Sequence, residues 1–346
     1  MKYAGRSDLF EGLAIWREEK YRKLQGTYPV LSLSFATIKD ADYKAVRKRI
    51  FQILAGLYSE HRYLVEGDLL DEKEKRFFAS VGVDMDDATA TYALHELSCY
   101  LFRYYKKKVI ILLDEYDTPM QEAYVNGYWE ELVSFTRSLL NAAFKTNPCL
   151  ERAIMTGITQ VSKESIFSDL NNLEVVTTTS EKYEAIFGFT QEEVWDVLEE
   201  YGLFDQKEGV KSWYDGFTFG KRRDIYNPWS ILNFLDKKKF SAYWANTSSN
   251  NLVGKLIQEG SRKTKIIMED LLEGKALHTE IDEQIVFSQL SSKDNAIWSL
   301  LLASGYLRVE RFFFDEKWFR EEYDLVLTNK EVRFMFQRMI RVRRIR

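Results

Sequence analysis

Cysteine, histidine and proline are all scarce in this chain of 346 residues, at two, three and four copies. Each scarcity removes a class of chemistry. Cys99 and Cys149 lie far apart with no metal-binding spacing, which fits a reducing compartment, and each reads as a small core residue. His61, His95 and His278 are isolated from one another, so no Ser-His-Asp or Cys-His constellation can be defended and none reads as a metal ligand. With so few prolines and no Gly/Ser-rich stretch, no linker is visible, and neither an internal repeat nor a low-complexity segment occurs. No apolar run is long enough to span a bilayer and no signal peptide opens the chain, so the expectation is a cytoplasmic protein without a membrane partner. The 49 basic residues nearly balance 53 acidic ones, for a net charge of −4. That balance argues against a chain that coats nucleic acid along its whole length, though local basic patches stay open.

The most consequential absence is a phosphate-binding loop. The pattern G-x-x-x-x-G-K-[ST] brings backbone N–H groups and a lysine onto phosphates between a strand and a helix. Gly220-Lys221 is followed by Arg222, Gly254-Lys255 by Leu256 and Gly274-Lys275 by Ala276, so none completes it. The first strand, Tyr28 to Phe35, runs into Ala36-Thr37-Ile38-Lys39-Asp40 and has no glycine for such a turn.

Against these absences stands one strong presence. Apolar residues make up 45% of the chain, enough for a sizeable core. The run Lys108-Val109-Ile110-Ile111-Leu112-Leu113 ends in the adjacent acids Asp114 and Glu115, then Tyr116-Asp117-Thr118-Pro119. So apolar a strand is expected to be buried on both faces of a parallel sheet, and ligands gather at the carboxyl ends of such strands. Two carboxylates there match the arrangement in which one holds Mg²⁺ and its neighbour activates water for ATP hydrolysis. The alternative is an ordinary strand end with solvated acids. The length of the run and the adjacency of the acids favour the first reading by about two to one.

The remaining pattern alternates helices with strands. Helices are expected at 42–63, 68–80, 89–107 and 129–144, and buried strands at 152–159 and 175–179, implying right-handed βαβ units. Asn147-Pro148 breaks the 129–144 helix. Beyond Phe189 the chain reads as helical and aromatic-rich to about residue 260. Thr190 and Glu193 form a capping box there, and Pro228 opens a helix after Asn227. Trp213-Tyr214-Asp215-Gly216-Phe217 reads as a hairpin on an Asp-Gly turn whose aromatics pack in a core, ahead of an adenine-stacking pocket. A helix at 295–304, Gly305-Tyr306-Leu307, a strand at 323–327 and a helix at 331–340 resemble a winged-helix module.

Other candidates are weaker. Asp117 reads as an N-cap of the helix beginning at Thr118 before it reads as a further acid at a cofactor. Thr156 and Thr159 supply hydroxyls at the tip of the neighbouring strand, where a polar side chain can sense a terminal phosphate; from spacing alone, a strand end satisfying its own backbone is the better explanation. Asp315-Glu316-Lys317 reads as a charged turn, and Asn171-Asn172 as a tight turn. The basic stretch Arg338 to Arg346 could grip DNA phosphates, but reads first as part of a longer helix.

Taken together, Leu9-Phe10-Glu11-Gly12-Leu13, Tyr28-Pro29-Val30, Leu112-Leu113-Asp114-Glu115-Tyr116-Asp117-Thr118-Pro119, Thr156-Gly157-Ile158, Tyr214-Asp215-Gly216-Phe217, Tyr226-Asn227-Pro228-Trp229-Ser230, Gly305-Tyr306-Leu307 and Thr328-Asn329-Lys330-Glu331-Val332 resemble the AAA-ATPase-like family of bacterial proteins. Its members usually carry a P-loop just before the Leu-Phe-Glu-Gly stretch and a PD-(D/E)XK nuclease-like domain after the last motif. The resemblance implies a P-loop NTPase-like α/β core at 1–188 without its P-loop strand, a helical lid at 189–262 and a winged-helix-like region at 263–346. It implies ATP and Mg²⁺ as cofactors. Asp114 would hold the metal and, with Asp117 and Thr159, face the nucleotide, while Glu115 and Thr156 would serve catalysis. The chain is then the middle of a longer protein or a decayed copy, with little or no ATPase activity of its own and an open sheet edge beside the 152–159 strand. The competing reading is a non-catalytic regulatory or interaction module with a protein partner or self-association, allied to a DNA-processing nuclease.

Overall fold

Three helices of the first half start where an aspartate satisfies their free N–H groups. After a single turn of helix, α1 (Glu19–Arg22), the strand β1 (Val30–Ser34) alternates buried leucines, Leu31 and Leu33, with serines. Asp42 accepts from Ala45 N–H and opens α2 (Tyr43–Glu60), which buries Val46, Ile50, Phe51, Leu54, Leu57 and Tyr58. A capping box of Asp71 and Glu74 opens α3 (Glu72–Ser80), and Asp86 caps α4 (Asp87–Tyr105). Lys106 stops α4 in the left-handed conformation at φ 55° and leads to β2 (Val109–Asp114). Then follow α5 (Thr118–Asn126), α6 (Trp129–Phe144) and β3 (Leu150–Met155).

The computed structural model describes residues 4–158, 172–246, 251–282 and 295–344. The chain divides into two units, Met1–Leu173 and Glu174–Arg346. In the first, β1, β2 and β3 form a parallel three-stranded sheet in that order, with Ser34 opposite Asp114 and Leu113 opposite Met155. Both flanking strands therefore end level with the acids of β2.

Three expectations for this unit need correction. On β2 only Val109, Ile111 and Leu113 are fully buried, and Ile110 and Leu112 are half-buried. The strand at 150–155 is an outer strand: Arg152 is exposed and Ile154 is 52% exposed, because no described strand lies beyond it. Cys99 on α4 and Cys149 just before β3 are joined as a disulfide, with Cα atoms 5.2 Å apart. Their separation of 50 residues hid a pairing that the packing of α4 beside the 147–149 turn creates.

In the second unit, Val175 to Thr179 is not the expected strand; Thr177 and Ser180 close a turn there. After β4 (Phe189–Thr190), the Thr190–Glu193 capping box opens α7 (Gln191–Glu200) as expected. Then come α8 (Lys207–Tyr214), β5 (Phe217–Phe219), β6 (Arg222–Tyr226) and α9 (Pro228–Lys237), whose N-cap Asn227 accepts from Ser230 N–H. This stretch was expected to be helical, but β4, β6 and β5 pair as an antiparallel sheet. The hairpin turns at Gly220, with φ 54°, and not at Asp215-Gly216. Asp215 ends α8 instead. Gly216, at φ 113°, passes so close to Thr328 that a Cβ would stand 2.2 Å from its carbonyl oxygen. Tyr214 packs in a core with Val194, Leu198, Val210, Tyr226, Ile231 and Phe234.

The remainder comprises α10 (Asn251–Glu259), α11 (Arg262–Glu273), β7 (Leu277–Glu280), α12 (Ala296–Ala303), β8 (Leu307–Asp315), β9 (Arg320–Leu327) and α13 (Lys330–Arg344). β7, β9 and β8 form a second antiparallel sheet in that order. Glu331, fully buried in the first turn of α13, accepts from Ser230 Oγ at 2.8 Å and Ala245 N–H at 3.1 Å, tying α13 to α9. Among the described residues no helix is long and apolar enough to cross a membrane.

Candidate functional site

The carboxyl end of β2 is held by hydroxyls from both neighbouring strands. Ser34 Oγ, at the end of β1, donates to Asp114 Oδ2 at 3.1 Å. Thr156 Oγ1, just beyond β3, donates to Asp114 Oδ1 at 2.7 Å and accepts from Glu115 N–H at 3.3 Å. Backbone bonds continue the pairing past the strand ends, from Phe35 N–H to Asp114 O and from Tyr116 N–H to Thr156 O. Asp114 and Glu115 remain exposed. Each oxygen of Asp114 has taken one hydroxyl hydrogen and keeps a further lone pair for a ligand.

Glu115 breaks the strand in a way its position alone would not reveal. Its φ is 49°, in the left-handed region that costs a residue with a Cβ about 1–2 kcal/mol. Backbone strain of this kind collects at functional sites. The reversal lets Glu115 Oε2 accept from Thr118 Oγ1 at 2.8 Å, while Thr118 N–H bonds Glu115 O at 3.2 Å. The carboxylate is thereby anchored at the start of α5 and left open to solvent on its other side.

Asp117 stands where the helix cap was expected, but its side chain makes no capping bond. Its Oδ2 accepts from Gln121 Nε2 and from Ile158 N–H, both at 3.1 Å. The residue is 1% exposed and pins the 156–158 segment to α5. Gly157 is needed for that approach: a Cβ there would lie 2.6 Å from Asp117 Oδ1 and 2.8 Å from Tyr116 Cε1.

Of the residues singled out from sequence, Asp114, Glu115, Thr156 and Asp117 thus lie together. Thr159 falls outside the described residues, as does Asn171. Sequence reading missed Ser34. Its signal was the Leu-Ser-Leu-Ser alternation of β1, which sets Ser34 on the exposed side, but only the register with β2 shows that it meets Asp114.

Asp114 suits Mg²⁺ held through water, since that cation prefers one or two carboxylate oxygens and shares its shell with water and substrate phosphates. Among the described residues no group of three or more His, Cys, Asp or Glu could cage a metal ion. One carboxylate flanked by neutral hydroxyls fits a metal that arrives with a phosphate ligand.

The second unit holds a different carboxylate pair. Burial, then hydrogen bonding to Asp224, raises Asp215 to about 6, against the pull of Gly216 N–H at 2.6 Å and of Lys211. Lys211 Nζ stands 3.4 Å from Asp224 and 3.9 Å from Asp215 and donates to Gln191 Oε1 at 2.5 Å. Tyr214 is enclosed by Phe234, Phe240 and Tyr243, which leaves it no face for a base and makes it a core residue.

Comparison with known proteins agrees with the frame of the first unit. Residues 1–167 match the model of the AAA-ATPase-like family, described as a predicted AAA-ATPase. A curated relative from Azotobacter chroococcum mcd 1, named as an uncharacterized protein in the vnfD 5' region, is 25% identical over 315 residues. The alignment covers 89% of this chain and 53% of that relative, so the chain spans about half of the relative's length. No solved structure matches the chain.

Proposed function

We propose that residues 1–167, as a stretch of the AAA-ATPase-like family, carry the metal-and-water half of an ATP-hydrolysing site of P-loop NTPase type. The observation that carries this reading is the pair of exposed carboxylates at the end of the central parallel strand, with Asp114 clamped by a hydroxyl from each neighbour. Asp114 would hold Mg²⁺ through water. Bound ATP would supply the phosphoryl group to be transferred. Glu115, fixed by Thr118 Oγ1, would orient and deprotonate the attacking water. Thr156, which bonds both acids, would report on the terminal phosphate, and Thr159 would assist it. Asp117 would contribute by holding the 156–158 segment in position rather than by touching the nucleotide.

The phosphate-binding half is not written in this sequence, which contains no G-x-x-x-x-G-K-[ST]. The outer edge of β3, which pairs with no strand among the described residues, is where a strand bearing such a loop would pair. In the second unit the same reading assigns a lid to 189–262 and a winged-helix-like region to 263–346. The rival reading, a non-catalytic interaction module, draws on the absent P-loop and on the exposed aromatics Phe312–Phe314, Trp318 and Phe319.

The test is Mg²⁺-dependent ATP hydrolysis by this polypeptide and by the full reading frame that encodes it. The polypeptide alone should hydrolyse ATP at background rate. In the full reading frame, Glu115→Gln should lower kcat by about 10²–10⁴-fold, the usual contribution of a general base. Hydrolysis by the full frame that is indifferent to both Glu115→Gln and Asp114→Asn would sink the assignment. Robust hydrolysis by the polypeptide alone would show that a phosphate cradle has been overlooked.

A further inference from the structure

The hairpin of β8 and β9 exposes more aromatic surface than a solvated turn requires. Phe312 is 53% exposed, Phe313 40%, Phe314 51%, Trp318 63% and Phe319 82%. Three consecutive phenylalanines on a strand place apolar rings on both faces, so no tilt of the hairpin against its own sheet can bury them all. The turn is well built, since Asp315 Oδ1 accepts from Lys317 N–H at 2.8 Å and Trp318 N–H at 3.1 Å. β8 is also the outer strand of its sheet among the described residues. Its inner half is covered, with Arg223 donating to Glu310 O at 2.9 Å. Beyond Glu310 its outer edge has no described strand neighbour. A long, apolar, uncovered edge is a template for strand pairing.

We propose that residues Arg311–Asp315 of β8 pair antiparallel with the same segment of a second copy of this chain, about a two-fold axis at Phe313. The charges select this occupant and this register. A symmetric antiparallel pair must centre on a residue, because opposite positions share a face and an edge. Centred on Phe313, Phe312 meets Phe314 of the second copy, Phe313 meets Phe313, and Arg311 meets Asp315. Centred one residue either way, a phenylalanine faces an acid and the Arg311–Asp315 match is lost. Within the chain's own sheet Arg311 already lies opposite Asp324, and Asp315 opposite Arg320. The joined sheet would therefore carry a row of alternating charge, Asp324, Arg311, then Asp315 and Arg320 of the second copy. Opposite charges facing each other across strands stabilise pairing. Nucleic acid and anionic lipid fit poorly, because between Glu310 and Glu322 five acids outnumber three bases.

The experiment combines sedimentation with cysteine trapping on the intact chain. The wild type should show a concentration-dependent rise from monomer to dimer, and Arg311→Asp, which sets like charges opposite Asp315, should abolish it. Phe313→Cys, on the axis, should form a covalent dimer under mild oxidation. Phe312→Cys and Phe314→Cys should each fail alone and crosslink when mixed. A wild type that stays monomeric, or trapping by Phe312→Cys alone as efficient as by Phe313→Cys, overturns the proposal. So does a monomer whose Trp318 fluorescence responds to duplex DNA or to anionic vesicles, since the aromatic tip would then serve that partner. Trapping at surface-exposed positions needs no unfolded control beyond circular dichroism, and Phe313→Cys retains the β8 backbone on which the pairing depends.

Discussion

Asp114 and Asp215 are both aspartates just past or at the end of a regular element, yet they are built for opposite purposes. Asp114 is exposed, its charge shared with two neutral hydroxyls and, among the described residues, opposed by no lysine or arginine in its hydrogen-bond shell. Asp215 is 9% exposed, paired with Asp224 and faced by Lys211. The first is oriented by groups that leave its charge available to a cation. The second has its charge disfavoured by burial and by neighbouring Asp224 and partly offset by the nearby Lys211 ammonium. An oriented carboxylate without a cationic partner is what the proposed Mg²⁺ site requires; a buried one set between an acid and an ammonium suits a structural joint.

The frames that carry the two groups differ as well, and this sets the largest expected effect. The Cys99–Cys149 disulfide closes a loop of 50 residues in the first unit, and cross-links of that span stabilise by up to about 4 kcal/mol. Cys99→Ser should lower the denaturant midpoint of the first unit by a corresponding amount and leave that of the second unchanged. A thiol titration of the unreduced protein should find no free cysteine; two free thiols would remove the cross-link from the comparison.

Next in size is a pH effect confined to the Asp215 joint. Its carboxyl is raised in the folded protein from 3.8 to about 6, so the folded state binds the proton more tightly than the unfolded one. Stability from this group is complete below about pH 4 and is lost as pH rises through about 6, a change on the order of 2–3 kcal/mol at 1.36 kcal/mol per unit. Asp215→Asn should flatten this slope in urea melts taken from pH 4 to 7. A slope that persists in that variant would move the titration elsewhere, for instance to Glu331, whose burial also raises it.

The smallest effect should be the stability change at Asp114. Asp114→Asn and Ser34→Ala should each shift stability by no more than about 1 kcal/mol, the value of a net hydrogen bond at an exposed position. If Asp114→Asn costs more than Asp215→Asn does at pH 5, the two aspartates have exchanged roles and Asp114 is structural.

Much of the molecule was legible because local rules govern it. Helix starts at Asp42, Thr190 and Asn227 and the helix at 129–144 follow from capping and 3.6-residue periodicity. The acids at the end of β2 were legible for the same reason. What stayed hidden depends on contacts between distant residues. Ser34 needs the register of β1 on β2. The disulfide needs α4 to lie beside Cys149. The Asp-Gly pair was misplaced as a turn because Gly216 answers to the carbonyl of Thr328, over a hundred residues away, and not to its neighbours. Asp117 looked like a cap, and became a tether because the 156–158 segment comes within reach of its carboxylate.

By itself, then, the sequence determined that a buried strand would deliver two adjacent carboxylates to its carboxyl end, since hydrophobic patterning and chain polarity are local properties. Only the tertiary structure decided what surrounds them. Parallel pairing brings one hydroxyl from each side onto Asp114, and the left-handed turn at Glu115 sends the second carboxylate to α5. Pairing and register are settled by burial summed over whole strands, a quantity that no short stretch of residues contains.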